Sequence, residues 1–386
     1  MNKKFSITNL YSNFKGLFSI AFADIVTASV SALFWLYVST LISVESYGEL
    51  FYLLAIANMT SSISLIGSKH TLLVCIPKNI KLDSALFLLV FVISAISSLV
   101  LLLLTSNIEL SIYILGSAVF GLGLTHLLGK KSYTDYVKYL FTQKISMVLL
   151  SLILNDLMGI NGIILGISVS FFIYIPLIIK TFKINKIDFS LLRSNFQFLM
   201  YSYFIELISV SGKHIDKFVI VPLLGLTIMG NYQLGIQFIG LFQLFPLILL
   251  KYTIPIDAIK NSNKNLKIAM ILFSSCLTIL IIFLTPVLIP LFFQKFIYVV
   301  NIIQILSFSL VPFTISTIYV SKFYANKNSK IVSISNLIFV LSFVLFVIIF
   351  YTILDVIGMS IIYVVSSIFA VLFYFIVDLR NKILKS

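Results

Sequence analysis

Apolar residues in this chain come in long continuous runs separated by short polar breaks. Twelve runs stand near positions 17 to 41, 48 to 67, 84 to 105, 110 to 128, 139 to 155, 161 to 180, 196 to 224, 228 to 250, 267 to 292, 297 to 321, 331 to 354 and 357 to 378. About 20 apolar residues in helical conformation cross the hydrocarbon core of a bilayer, so each run predicts one membrane span. The first run, from near Leu17 to Leu41, is longer than the apolar region of a signal peptide. No small-residue cleavage site follows it, and it reads as a retained span.

The breaks carry a second pattern. Lys3, Lys4 and Lys15 precede span one; Lys69, Lys78 and Lys81 follow span two; Lys130, Lys131, Lys138 and Lys144 follow span four. Lys180, Lys183, Lys186 and Arg193 follow span six, and Lys251, Lys260, Lys264 and Lys267 follow span eight. Lys322, Lys327 and Lys330 follow span ten, and Arg380, Lys382 and Lys385 end the chain. One side thus holds 24 of the 27 basic residues and the opposite side only Lys295; the last two, Lys213 and Lys217, lie inside span seven. Such a bias over short loops orients a polytopic protein with its basic side in the cytoplasm. A missed or invented span would scramble it, so the expectation is twelve spans with both termini inside, in the cell membrane. Glu45, Glu49, Glu109, Asp156 and Asp355 mark the other side.

Composition agrees: 60% of residues are hydrophobic and 10% charged, with mean hydropathy +1.13, where a soluble domain carries about 25% charged residues. Twelve spans leave roughly 12 residues per connection, too few for a soluble catalytic domain. The net charge of +14 sits in clusters between apolar runs, which suits topology and no nucleic-acid partner. Cys75 and Cys276 show no metal or disulfide spacing, and His70, His126 and His214 are too far apart to suggest a metal site.

Sliding the sequence on itself by 182 positions places Ser12-Asn13-Phe14 on Ser194-Asn195-Phe196, Asp24 on Glu206, Ser29 on Ser211 and Gly48 on Gly230. The match predicts two six-helix bundles, 1–187 and 188–386, related by an internal repeat. Both enter from the same side, an arrangement that transporters use to build a central site between halves.

Charged groups at a helix centre cost roughly 2.5 to 3.5 kcal/mol each on insertion scales, yet spans one and seven carry several. In span seven, Glu206, Lys213 and Lys217 fall within about 20° of one line at 100° per residue, with His214 and Asp216 bordering it. In span one, Asp24, Thr27, Ser31 and Trp35 form the corresponding line, and the repeat sets Ser31 in the slot of Lys213 and Trp35 in that of Lys217. One reading makes Lys213, Lys217, Asp216, His214, Trp35 and Ser31 the wall of a hydrated cavity for an anionic substrate. Asp24 and Glu206 are then candidates for a coupling ion, Na+ or H+. The other reading is intramembrane pairing, Lys213 with Asp216 one turn on and Asp24 with a lysine elsewhere. Gly162, Gly166 and the run Gly225, Gly230, Gly235 and Gly240 predict close helix packing. No phosphate-binding loop, nucleotide fingerprint or activated nucleophile is present in the sequence, so no enzymatic activity or further cofactor is expected.

The stretch Asp216 to Phe238, DKFVIVPLLGLTIMGNYQLGIQF, carries an acid followed by a base, then apolar residues, Gly225, and Gly230-Asn231-Tyr232 opening the next helix. Ser43 to Phe51, SVESYGELF, forms the turn after span one, and its helix ends in Leu65-Ile66-Gly67. Both resemble the oligosaccharide-lipid flippases of the multidrug, oligosaccharidyl-lipid and polysaccharide exporter superfamily. The resemblance in helix layout covers nearly the whole chain. It implies two bundles, alternating access, and movement of a prenyl-diphosphate-linked sugar repeat unit to the outer leaflet for surface polysaccharide such as O-antigen or capsule. It also implies a cationic cavity onto which Lys213 and Lys217 map. Expected partners are the lipid-linked oligosaccharide, membrane lipids and other polysaccharide-assembly proteins, with the chain itself a monomer. The chain departs from that pattern in lacking a proline early in span seven and in having only Arg193 and Arg380 as arginines, both at span ends. A cation-coupled exporter of organic cations would need a cavity dominated by acids. A membrane glycosyltransferase or polymerase would need a large outer loop.

Overall fold

The computed structural model describes residues 7–185, 187–258, 264–326, 328–350 and 355–383. Lys3, Lys4, Lys186, Lys260, Lys327 and Lys385, counted above, lie outside the described residues. Those residues form helices and no strand: α1 (Ile7–Leu41), α2 (Val44–Leu65), α3 (Ser68–Cys75), α4 (Asp83–Thr105), α5 (Ile108–Gly129), α6 (Tyr133–Met158), α7 (Ile160–Phe171) and α8 (Ile175–Ile184). After them come α9 (Phe189–Ser194), α10 (Phe196–Leu224), α11 (Leu226–Ala258), α12 (Lys264–Phe292), α13 (Val299–Ser307), α14 (Leu310–Ala325), α15 (Ser329–Phe350) and α16 (Val356–Ile383).

Among the described residues, ten helical segments are long and apolar enough to cross a bilayer. An eleventh is the pair Val44–Leu65 and Ser68–Lys78, bent by 45°. The twelfth is α10, whose 29 residues span about 43 Å at 1.5 Å per residue but include Glu206, Lys213, Asp216 and Lys217. The protein is thus an all-α, multi-pass membrane protein of twelve spans. Its outward-facing side chains fit that solvent: Leu103, Leu104, Leu157 and Phe283 are 75–78% exposed, and contiguous apolar surface of this kind marks a face that meets something other than water.

The described chain divides into two compact units. The first takes the described parts of Met1–Ser31 and Leu53–Val210, the second Ala32–Tyr52 and the described part of Ser211–Ser386. The bounds of these units run through α1, α2 and α10, each of which gives one part to each unit. Helices of 22 to 35 residues are long enough to pack on different neighbours along their length.

In the first unit, Leu72, Leu86, Phe87, Leu122 and Tyr174 form a buried core. Gly162 and Gly166 let α7 lie on α6: a Cβ at Gly162 would stand 1.9 Å from the Leu154 carbonyl oxygen, and one at Gly166 2.4 Å from the Ser151 nitrogen. The turns that follow α3, α5 and α8 gather at one end, while at another turn Asn107 Nδ2 donates to Asn161 Oδ1 at 3.3 Å. In the second unit, Asp257 near the end of α11 accepts from Lys267 at 2.8 Å and from Ser321 at 2.7 Å. Lys322 pairs with Asp378. Lys295 donates to the carbonyls of Thr40 and Ile42 at 3.1 and 3.4 Å. In each unit the exits that the lysine count assigns to one side therefore meet one another.

The repeat appears directly inside the second unit. A Cβ at Gly48 would stand 2.0 Å from the Leu226 carbonyl oxygen, and a Cβ at Gly230 2.0 Å from the Val44 carbonyl oxygen. Val44 and Leu226 are themselves 182 positions apart, as are Gly48 and Gly230. The starts of α2 and α11 thus touch through equivalent atoms in both directions, as repeat copies do across a local two-fold axis. Elsewhere in the glycine run, Gly235 faces Ile302 at 2.8 Å, Gly225 supplies a left-handed turn with φ 88°, and Gly240 has open space beside it.

Candidate functional site

The residues that span seven commits to burial lie on α10, and the two units take different parts of it. In the second unit Lys217 is buried, and its Nζ stands 2.9 and 3.0 Å from the two carboxylate oxygens of Asp216. The carboxylate that the sequence spacing offered to Lys213 is thus held by Lys217, one residue on. Burial explains the choice. An ammonium withdrawn from water needs a counter-charge, and Lys217 is 6% exposed, whereas Lys213 is exposed and makes no ion pair among the described residues. His214 is half-buried, and its Nδ1 has no hydrogen-bond partner among the described residues.

Trp35, also in the second unit, sits against Phe34 and Phe51 with ring centroids 4.9 and 4.8 Å away. Its carbonyl accepts from the Tyr47 hydroxyl at 3.2 Å, and Tyr47 in turn lies edge-on to Phe296. This is an aromatic cluster that fixes the C-terminal part of α1 and the start of α2. The sequence reading put Trp35 on a polar line; its described contacts are aromatic and with backbone.

In the first unit, the Ser31 hydroxyl donates to the Thr27 carbonyl at 2.7 Å, one turn back on its own helix. Asp24 accepts from the Tyr136 hydroxyl of α6 at 2.7 Å. Glu206 is buried on α10 and pairs with Lys69 of α3 at 3.1 Å. Its second oxygen, Oε2, is buried with no hydrogen-bond partner among the described residues. The two candidate acids of the repeat thus share one unit, and each is tied to another helix of it, Asp24 to α6 through Tyr136 and Glu206 to α3 through Lys69.

Lys69 reaches Glu206 because the chain breaks before α3. Gly67 has φ 65°, a left-handed conformation that costs glycine little. A Cβ there would stand 2.4 Å from the Tyr203 nitrogen and 2.8 Å from the Leu199 carbonyl oxygen. The break therefore lies directly on the α10 backbone, one turn before Glu206. Sequence reasoning grouped Lys69 with the topology-setting lysines and missed this partnership; the only signal was the glycine closing span two.

A second polar cluster escaped the sequence reading. Asp83, at the start of α4, is buried and accepts from Asn185 Nδ2 on both oxygens, at 2.9 and 2.8 Å, and from the Ser84 nitrogen at 3.1 Å. His126 Nδ1 is 3.7 Å from Asp83 Oδ2, and His126 Nε2 is 3.3 Å from the Thr181 hydroxyl. These groups tie α4, α5 and α8 together at the end where their turns meet. Asn185 lies 102 positions from Asp83, a separation at which no spacing rule operates.

No protein-family model matches this sequence, and no curated protein matches it. Solved structures do. An inward-facing multidrug resistance MATE family transporter of the MOP superfamily is 15% identical over 93% of this chain and 95% of its own, with a TM-score of 0.69. The lipid II flippase MurJ, in an inward closed conformation, is 18% identical over 97% and 87%, with a TM-score of 0.61. The eukaryotic MATE transporter AtDTX14 is 13% identical over 96% of each chain, with a TM-score of 0.62. At these identities the likeness is one of fold, and it extends over nearly the full length of this chain.

Proposed function

We propose that this chain is a transporter that moves a lipid-linked oligosaccharide, carried on a prenyl diphosphate, from the cytoplasmic to the outer leaflet by alternating access between bundles 1–187 and 188–386. The reading rests on Lys213, an exposed ammonium without an ion-pair partner among the described residues, set in the middle of a membrane-spanning helix. A lone cation at that depth is costly, and a diphosphate offers what it lacks. The fold it shares with a lipid II flippase supports the reading. Lys217, already paired with Asp216, would contribute by exchanging that partner for the substrate. Asp24 and Glu206 are the proposed sites of a coupling Na+ or H+. Membership of the oligosaccharide-lipid flippases, a cell-membrane location with both termini in the cytoplasm, work beside other polysaccharide-assembly proteins and a monomeric state belong to the same proposal.

A second reading, an exporter of organic cations, draws on the neutralised Lys217 and on the MATE transporters that share the fold. Complementation separates the two. In a strain lacking this gene, Lys213→Ala with Lys217→Ala is expected to abolish surface polysaccharide at unchanged protein level. Restored polysaccharide refutes the flippase reading, and restored resistance to organic cations in its place supports the exporter.

A further inference from the structure

Three inter-span turns of the first unit close around one cavity of about 400 Å³. Its lining includes Lys81 before α4, Lys130 and Lys131 after α5, and Asn185 after α8. All three lysines are exposed, and none makes an ion pair among the described residues. The only carboxylate in the lining is Asp83, and both of its oxygens already accept hydrogen bonds, from the Asn185 amide and the Ser84 nitrogen. The lining thus sums to three positive charges against one shielded negative charge. The second unit differs at its corresponding end, where Lys267 and Lys322 are spent on Asp257 and Asp378.

The cavity is built into the fold. Asn79 and Lys131 hold left-handed backbone at φ 58° and 57°, in turns closed by Asn79 N to the Ile76 carbonyl at 2.9 Å and Lys131 N to the Leu128 carbonyl at 3.0 Å. The Asp83–Asn185 bonds fix the floor. Its remaining walls are apolar: Ile76, Pro77, Ile80 and Ile184. Ammonium groups beside aliphatic walls at a span end suit an anion that carries its own apolar body. Basic pockets between spans bind phospholipid headgroups for this reason, and lysine meets a phosphate as a point charge without demanding a fixed geometry.

We propose that this cavity is a binding site for a phosphate-bearing anion, distinct from the proposed translocation residues, and that the phosphate is presented by an anionic membrane lipid. The test uses the purified full-length chain in a neutral detergent. Dioctanoyl phosphatidylglycerol, dioctanoyl phosphatidylcholine and inorganic phosphate are titrated separately, and binding is read by native mass spectrometry and by the shift in thermal unfolding. Phosphatidylglycerol is expected to bind in preference to phosphatidylcholine. Lys81→Gln with Lys130→Gln and Lys131→Gln is expected to lower its affinity on the order of a hundredfold, at about fivefold per lysine near a membrane surface. Lys138→Gln with Lys264→Gln and Lys330→Gln removes the same charge elsewhere and is expected to leave affinity unchanged. Replacing the three cavity lysines by arginine is expected to retain it, and the three single glutamine variants give a graded loss that does not depend on the triple variant folding. Binding of inorganic phosphate with the same variant pattern, and no preference for the lipid, would keep the anion site and assign it to a soluble source. Equal loss in both triple variants, or no loss in the cavity variant, overturns the site.

Discussion

The reciprocal glycine contact gives the sharpest test of the repeat. In Gly48→Ala the new methyl would stand 2.0 Å from the Leu226 carbonyl oxygen and 2.8 Å from the Gly230 nitrogen. Both are backbone atoms, so no side chain can swing aside. Reaching an ordinary contact near 3.4 Å requires α2 and α11 to part by roughly 1.4 Å. Overpacking of this kind costs about 1–3 kcal/mol, and a clash with fixed backbone belongs at the upper end. Gly230→Ala meets the Val44 carbonyl oxygen at the same 2.0 Å and should cost the same. The decisive quantity is the double variant. One separation of the two helix starts relieves both clashes, so the pair should be less destabilising than the sum of the singles by about 1–2 kcal/mol, within the range seen for coupled neighbours. Thermal unfolding in detergent, followed on the purified chain, reads all three. Full additivity, or a Gly48→Ala melting temperature equal to that of the unaltered protein, would refute the reciprocal contact.

Two further outcomes follow from the first unit. Lys69→Ala leaves the Glu206 carboxylate buried without its cation. Because Lys69 is itself 38% exposed, the cost should fall below the 3–5 kcal/mol of a fully buried broken pair, at about 1–2 kcal/mol. Lys69→Ala with Glu206→Gln should recover most of it in the same unfolding assay; no recovery would mean that the two side chains act separately. Tyr136→Phe removes the hydroxyl that Asp24 accepts from and should destabilise by about 1–2 kcal/mol. A melting temperature unchanged within error would show that this bond contributes nothing to folding.

Much of the architecture was legible because it depends on rules that act locally. The run 196 to 224 coincides with α10, and the lysine-bearing exits do gather within each unit. Reading the spans needs only hydropathy, so tertiary detail cannot overrule it. Gly48 and Gly230 were legible as equivalent positions, though not as direct neighbours. The site was less legible. Helical spacing favours partners three or four residues apart and so pointed Lys213 at Asp216. The flexible arm of Lys217 reaches back to the adjacent carboxylate instead, because a deeply buried ammonium takes the nearest counter-charge. Lys69 and Glu206 meet only because Gly67 breaks the chain against α10, and Asp83 meets Asn185 only because three helix ends converge. Neither event leaves a periodic trace. The two compact units also run through α1, α2 and α10, a division by contacts that leaves no mark in the sequence.

The charge content of α10 bears on how the protein is made. Glu206, Lys213, Asp216 and Lys217 each carry a cost of roughly 2.5 to 3.5 kcal/mol for moving a charge to a helix centre in lipid, a cost that a partner already in place offsets. Lys69 leaves the ribosome 206 − 69 = 137 residues ahead of Glu206, about 7–27 s earlier at 5–20 residues per second. For that interval Glu206 has yet to be made, so the pair can form only once α10 emerges. The order of synthesis thus puts the cation of this pair in place before the helix that carries its acid.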